Sequence, residues 1–248
     1  MSRTQSIGFS QRIQLDWLEY TAQAYAAGAG RDDISAALQE MLREKQSVGG
    51  TALRGSREKT ITILLKCWVT VPAPIIPLRD RGAQLIHALP QRDHLALHWG
   101  MSCATYPFFG LVAETTGRLL SLQGEAPAAQ VQRRLRESLG ERETVSRAAR
   151  RLLRMFVDWG VLGESGSSGV YARGRVQRVE RADLAAWLVE VGLAAAGAPI
   201  AVSALGRWPM LFPFDIAVPA TEMISQSDNL TLLQYEGGSP ALAVRTAP

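Results

Sequence analysis

The chain has 248 residues, 47% apolar and 20% charged, a balance that supports a buried core and excludes a disordered or low-complexity scaffold. Its 27 basic residues outnumber the 23 acidic ones for a net charge of +4, and only Lys45, Lys59 and Lys66 among them are lysine. Two cysteines, Cys67 and Cys103, with no CxxC, exclude a disulfide framework and a cysteine-rich zinc site and fit a reducing compartment. The arginine bias suits a GC-rich genome, and it equally suits phosphate recognition, because guanidinium forks match phosphate oxygens.

Met1–Ser10 lacks the apolar stretch of a signal peptide. Phe9, Ile13, Trp17, Tyr20 and Ala24 recur at helical spacing up to Gly28. Asp33 is positioned to cap a second helix bearing Ile34, Leu38, Met41 and Leu42, ending at Gly49–Gly50. Ser56 opens a third helix with Ile61, Leu64, Leu65 and Trp68 inward, and Pro72, Pro74 and Pro77 end it. Shorter helices follow near Leu78–Leu89 and Asp93–Met101. These make a helical part over residues 1–102.

Residues 103–181 have a different punctuation. One helix runs from Tyr106-Pro107 to about Leu122 and stops at Gly124. A second starts at Pro127 and ends before Gly140, and a third runs from a Thr144 cap to Trp159. Val161-Leu162, a Gly/Ser run from Gly163 to Gly169, and Val170-Tyr171-Ala172 then read as a hairpin. Three helices and a hairpin follow the order of a winged helix-turn-helix, a DNA-docking module. Residues 182–248 read as a small α+β tail: a helix over Asp183–Ala196, strands at Ile216–Val218 and Leu230–Tyr235, and a loose last ten residues. Leu184–Leu205 is the most apolar stretch, but Glu190, Gly197 and Pro199 break it. It reads as a buried helix followed by a turn, and the expected location is cytoplasmic, with no membrane partner. The expected fold class is mainly α with small β elements.

Charge concentrates on the central module, where residues 127–181 hold 12 arginines against 6 acids. At 100° per residue, Arg147, Arg150, Arg151 and Arg154 share one face of the third helix, opposite Ala149, Leu152, Leu153 and Phe156. No acid is expected on that helix before Asp158. Arg133, Arg134 and Arg136 lie on the preceding helix, and Arg173, Arg175 and Arg178 on the expected return strand of the wing. A helix in the major groove with a basic wing would use these ten groups on duplex DNA, through phosphate contacts and guanine readout. Arg54, Arg57, Lys59 and Lys66 are a second basic group, read mainly as the solvated face of their helix.

Enzyme signals are weak. His94 and His98 have the i,i+4 spacing of metal ligands, but with no glutamate between them and no third ligand nearby in sequence they read as an ordinary surface or packed pair. Gly50–Arg57 lacks the Lys-Ser/Thr and preceding strand of a phosphate loop, and no GxSxG or strand-linked GxGxxG occurs. No cofactor, metal or catalytic residue is expected. Trp208–Phe214 reads as core filler in preference to a partner-docking patch.

Several segments carry a family resemblance: Arg57-Glu58-Lys59 leading to Trp68, Leu78-Arg79-Asp80, Tyr106-Pro107-Phe108-Phe109, Gly117-Arg118-Leu119-Leu120, and Asp158-Trp159-Gly160-Val161-Leu162. In these the chain resembles BrxA-like proteins of BREX phage-defence islands. The resemblance implies a non-enzymatic, mostly helical DNA-binding component encoded beside a methyltransferase and large ATPases, with other proteins of that system as partners. It assigns no contact residues. A winged-helix protein–protein adaptor of a larger ATPase complex fits the same layout.

Overall fold

The computed structural model describes residues 7–45, 55–234 and 238–245. Arg54, the Gly49–Gly50 helix stop, Gly50–Arg54 of the loop-like motif and the Tyr235 strand end lie outside the described residues. The fold is mostly helical with small β elements.

α1 spans Leu15–Ala26, so Phe9 and Ile13 precede the helix expected to hold them, although both are buried. Gly28, at φ +84°, terminates the turn after it. α2 (Arg31–Met41) opens before Asp33, with Gly30 as its cap. Asp32 and Asp33 fall in the first turn instead, where carboxylates favour the positive helix end. α3 (Ser56–Trp68) buries Ile63 and Cys67 as well as the four expected apolar residues, so it is enclosed on more than one face. Pro77 sits in the first turn of α4 (Ile76–Ala88), where its missing N–H costs nothing, and so begins a helix that it was expected to precede. α5 covers His94–Thr105.

α6 (Pro107–Gln123) ends at Gly124, whose φ of +77° a side chain rarely tolerates. β1 (Glu125–Pro127), α7 (Ala128–Leu139), α8 (Glu143–Asp158), β2 (Leu162–Glu164) and β3 (Val170–Arg173) follow. β3 is the central strand of an antiparallel sheet ordered β1-β3-β2, with Ala126 opposite Tyr171 and Leu162 opposite Arg173. β1 had no sequence signal: three residues ending in proline, which only an edge strand accommodates. Ala126, Leu162 and Tyr171 turn inward and close the sheet over the core.

β4 (Gln177–Val179) leaves this sheet and pairs in parallel with β6 (Phe214–Ile216). α9 (Ala182–Ala196) is buried from Leu184 to Leu193 and capped by Gly197 at φ +65°, matching the expected buried helix and turn. β5 (Ile200–Ala201), the short helix α10 (Ala220–Ser225), β7 (Leu230–Leu233) and β8 (Ala241–Val244) complete the chain, with β8 between β5 and β7. The last ten residues are therefore not loose up to Val244: β8 is a central strand and Leu242 is fully buried.

One apolar core crosses both expected boundaries, at 102 and at 181. The first falls inside α5. Trp187 of α9 packs on Gly82 of α4 and Gly100 of α5, and its indole N–H donates to the Leu78 carbonyl at 2.9 Å. Trp99 gathers Phe109, Phe156, Trp159, Phe212 and Phe214 at ring-centroid distances of 4.6–6.3 Å. The Leu211–Phe214 stretch is thus core. No single described helix is long and apolar enough to cross a membrane; α3 and α4 reach that length only as a pair bent by 54°.

Candidate nucleic-acid interface

α8 has the most one-sided pattern in the chain. Val145, Ala148, Ala149, Leu152, Leu153, Met155 and Phe156 are buried against α6, α7 and β2 together with Ser146, which leaves the arginines on the outer side. Arg147, Arg150 and Arg154 are exposed and Arg151 is half-buried, one turn apart along a single edge. Arg133 on α7 is exposed, while Arg134 and Arg136 are half-buried. α7 and α8 pack directly on each other. The β2–β3 hairpin is pinned to the start of α7, where the Ala128 N–H donates to the Gly169 carbonyl at 2.8 Å.

The expectation of an acid-free arginine helix is corrected at its first turn. The helix starts at Glu143, ahead of the expected Thr144 cap, and Glu143 meets Arg147 at 3.3 Å. The pattern extends further. Arg133 meets Glu137 at 3.6 Å, Arg136 meets Glu141 at 3.3 Å, and Arg178 meets Glu180 at 3.2 Å. Arg154 reaches across to Glu164 on β2, and this partner favours its charged form. Asp158 is taken by Arg12. Every acid between 127 and 181 is therefore engaged.

That leaves Arg134, Arg142, Arg150, Arg151, Arg173 and Arg175 without a carboxylate partner among the described residues. Arg142 donates to the Leu139 carbonyl at 3.2 Å, and the Arg173 guanidinium stands 5.9 Å from the centre of the Phe212 ring. Arg134 keeps its Nε buried without a partner. Arg142 was not among the ten expected residues.

The wing arginines divide. Arg173 ends β3, but Arg175 lies beyond it and Arg178 belongs to β4, so neither is on a return strand of the hairpin. Both line a cleft together with Glu19, His94 and His98. The N-terminal basic residues belong to α3: Lys59 is exposed, Arg57 is half-buried, and Lys66 stacks over the Tyr106 ring at 4.6 Å, so Lys66 is not a freely solvated side chain.

The histidine pair is buried and shares one carboxylate, Glu19, which no local pattern marks because it lies 75 positions before His94. Glu19 sits 2.8 Å from both His94 Nδ1 and His98 Nε2. Burial alone would raise the Glu19 pKa, but hydrogen bonds from His98 and His94 outweigh it and bring it down to about 2. His94 Nε2 also lies 3.1 Å from the Leu89 carbonyl, so both its nitrogens face acceptors. Burial lowers the His98 pKa, and its Nδ1 has no hydrogen-bond partner. No group of three or more His, Cys, Asp or Glu among the described residues is arranged to hold a metal ion. Both thiols are pushed up by burial, Cys67 to about 11, so neither is a ready nucleophile.

No family model, curated protein or solved structure matches the chain.

Proposed function

We propose that this protein binds duplex DNA as a non-enzymatic component of a bacterial phage-defence system, as its resemblance to BrxA-like proteins implies. The α6-β1-α7-α8-β2-β3 succession is read as a winged helix, with α8 as the recognition helix and the β2–β3 hairpin as the wing. The order of elements and the β1-β3-β2 sheet support that reading.

The observation that carries the proposal is the edge of α8. Its buried face is apolar apart from Ser146, and Arg150 and Arg151 on the outer edge have no acidic partner among the described residues. A helix stabilised only for solubility gains by mixing signs at i,i+4. Here the mixed pairs sit at the ends, Arg147–Glu143 and Arg154–Glu164, and the middle is left positive. The other ten-residue candidates divide accordingly: Arg134 and Arg173 join Arg150 and Arg151 as primary phosphate contacts. Arg133, Arg136, Arg147 and Arg154 must first leave a carboxylate, and Arg175 and Arg178 face the cleft.

The test is a fluorescence-anisotropy titration of labelled duplex with the pure protein at low salt. Saturable binding by the protein alone supports the proposal. No binding alone, with binding restored in a complex with a protein partner, would favour the adaptor role.

A further inference from the structure

A polar cleft of about 860 Å³ lies between α1, the start of α5 and the 175–181 segment. Its volume lies within the range of small-molecule sites. Its lining holds the acids Asp16, Glu19, Asp93, Asp158 and Glu180 and the arginines Arg92, Arg175, Arg178 and Arg181. Most of these charges are already matched. Glu19 is held by the two histidines, Asp158 by Arg12, Arg178 by Glu180 and Arg181 by Asp183. Lys45 stands 3.9 Å from Asp16.

Arg175 has no carboxylate partner among the described residues, and Arg92, 82% exposed, pairs with Asp93 only at 3.9 Å, the same loose spacing as Lys45 and Asp16. Two further features suit a ligand richer than a bare anion. Gln91 and Gln177 bring amide donors and acceptors to the same cleft. Val176, between the arginines, is 65% exposed, which leaves an apolar ledge in a charged wall.

We propose that this cleft is a binding site for a nucleoside phosphate, with the phosphate on Arg175 and Arg92 and the base against Gln91, Gln177 and Val176. Arg175 is also the closing residue of the hairpin: its N–H donates to the Gly160 carbonyl at 3.0 Å. A bound phosphate therefore touches the base of the β2–β3 unit, away from Arg150 and Arg151, and the site stands independently of the DNA proposal.

The experiment is calorimetric titration of the full chain with each of the four ribonucleoside monophosphates and, separately, with inorganic phosphate. At least one nucleotide should bind saturably at one site, and inorganic phosphate at least roughly tenfold more weakly, since it forgoes the base contacts. Arg175→Ala, which removes a charge-assisted contact, should weaken nucleotide binding roughly ten- to a hundredfold. Arg118→Ala, on α6 and outside the cleft lining, should change it by less than about threefold. If Arg175→Ala loses its circular-dichroism spectrum, the exposed Arg92→Ala substitutes for it, with the same direction expected. No binding by any nucleotide, equal affinity for inorganic phosphate, or unchanged affinity in the folded Arg175 variant would each overturn the proposal.

Discussion

Gly100 shows how closely single side chains are fitted. A Cβ there would overlap the Trp187 ring, the contact that locks α9 onto α5. Alanine normally gains up to about 1 kcal/mol over glycine inside a helix. Forcing a methyl into a filled core costs about 1–3 kcal/mol, so the clash should win and Gly100→Ala should unfold at lower urea, with an unchanged slope m. The Glu19 carboxylate makes the complementary point with charge. Glu19→Gln removes the carboxylate that two buried rings share, and should cost about 1–3 kcal/mol. The pH dependence follows from two depressed values. Below about 6.5, unfolded His98 takes up a proton that the folded ring resists, and below about 4.5 unfolded Glu19 does the same until the folded carboxylate titrates at about 2. Both contributions are lost on acidification, so thermal midpoints should fall from about pH 6.5 downward, and the Glu19→Gln variant should lose the lower limb. A midpoint that rises on acidification would contradict this assignment. The histidine spacing was legible in the sequence. The glutamate was not, because nothing local marks a partner on another helix.

Elements with a long apolar period were the most readable. α8 and α9 fall within a residue or two of their expected limits, α8 because its buried side chains recur at helical spacing and α9 because it is apolar all round. Among the short strands, β3 and β7 were readable at Val170–Ala172 and from Leu230, whereas β1 and β8 were not. β1 ends in proline, and β8 is four residues long, too few to register a period, yet pairing with β5 and β7 buries Leu242. The arginine face of α8 was legible as geometry but not as charge, since Glu164 lies on a different element and reaches Arg154 only through the fold. That pair gives a test at this scale. Glu164→Gln frees one guanidinium and should steepen the salt dependence of DNA binding by about 0.9 in slope. Stability should move by no more than about 1 kcal/mol, because the pair is exposed.

At the scale of the molecule, composition indicated a mostly helical fold with a real core, whereas the boundaries at 102 and 181 reflected changes in local grammar. Packing crosses both. The aromatic group around Trp99 joins α5, α6, α8 and the segment before β6, and α9 fills the space between α4 and α5. The C-terminal segment is therefore part of what holds α8 in place, and none of its described acids pairs with an α8 arginine. On this account the DNA surface is small and its strength is set by the unmatched cations. A guanidinium that must leave a carboxylate exposes that carboxylate beside the phosphates, so it adds little. Arg134, Arg150, Arg151 and Arg173 should then set the slope of log K against log salt at roughly −4, each contributing about −0.9. The most direct measurement is that slope for the wild-type chain and for the Arg150→Ala/Arg151→Ala double variant, with folding checked by circular dichroism. The account predicts a slope reduced to roughly −2 and weaker binding at every salt concentration. An unchanged slope and affinity in the folded double variant would contradict it and remove α8 from the DNA surface.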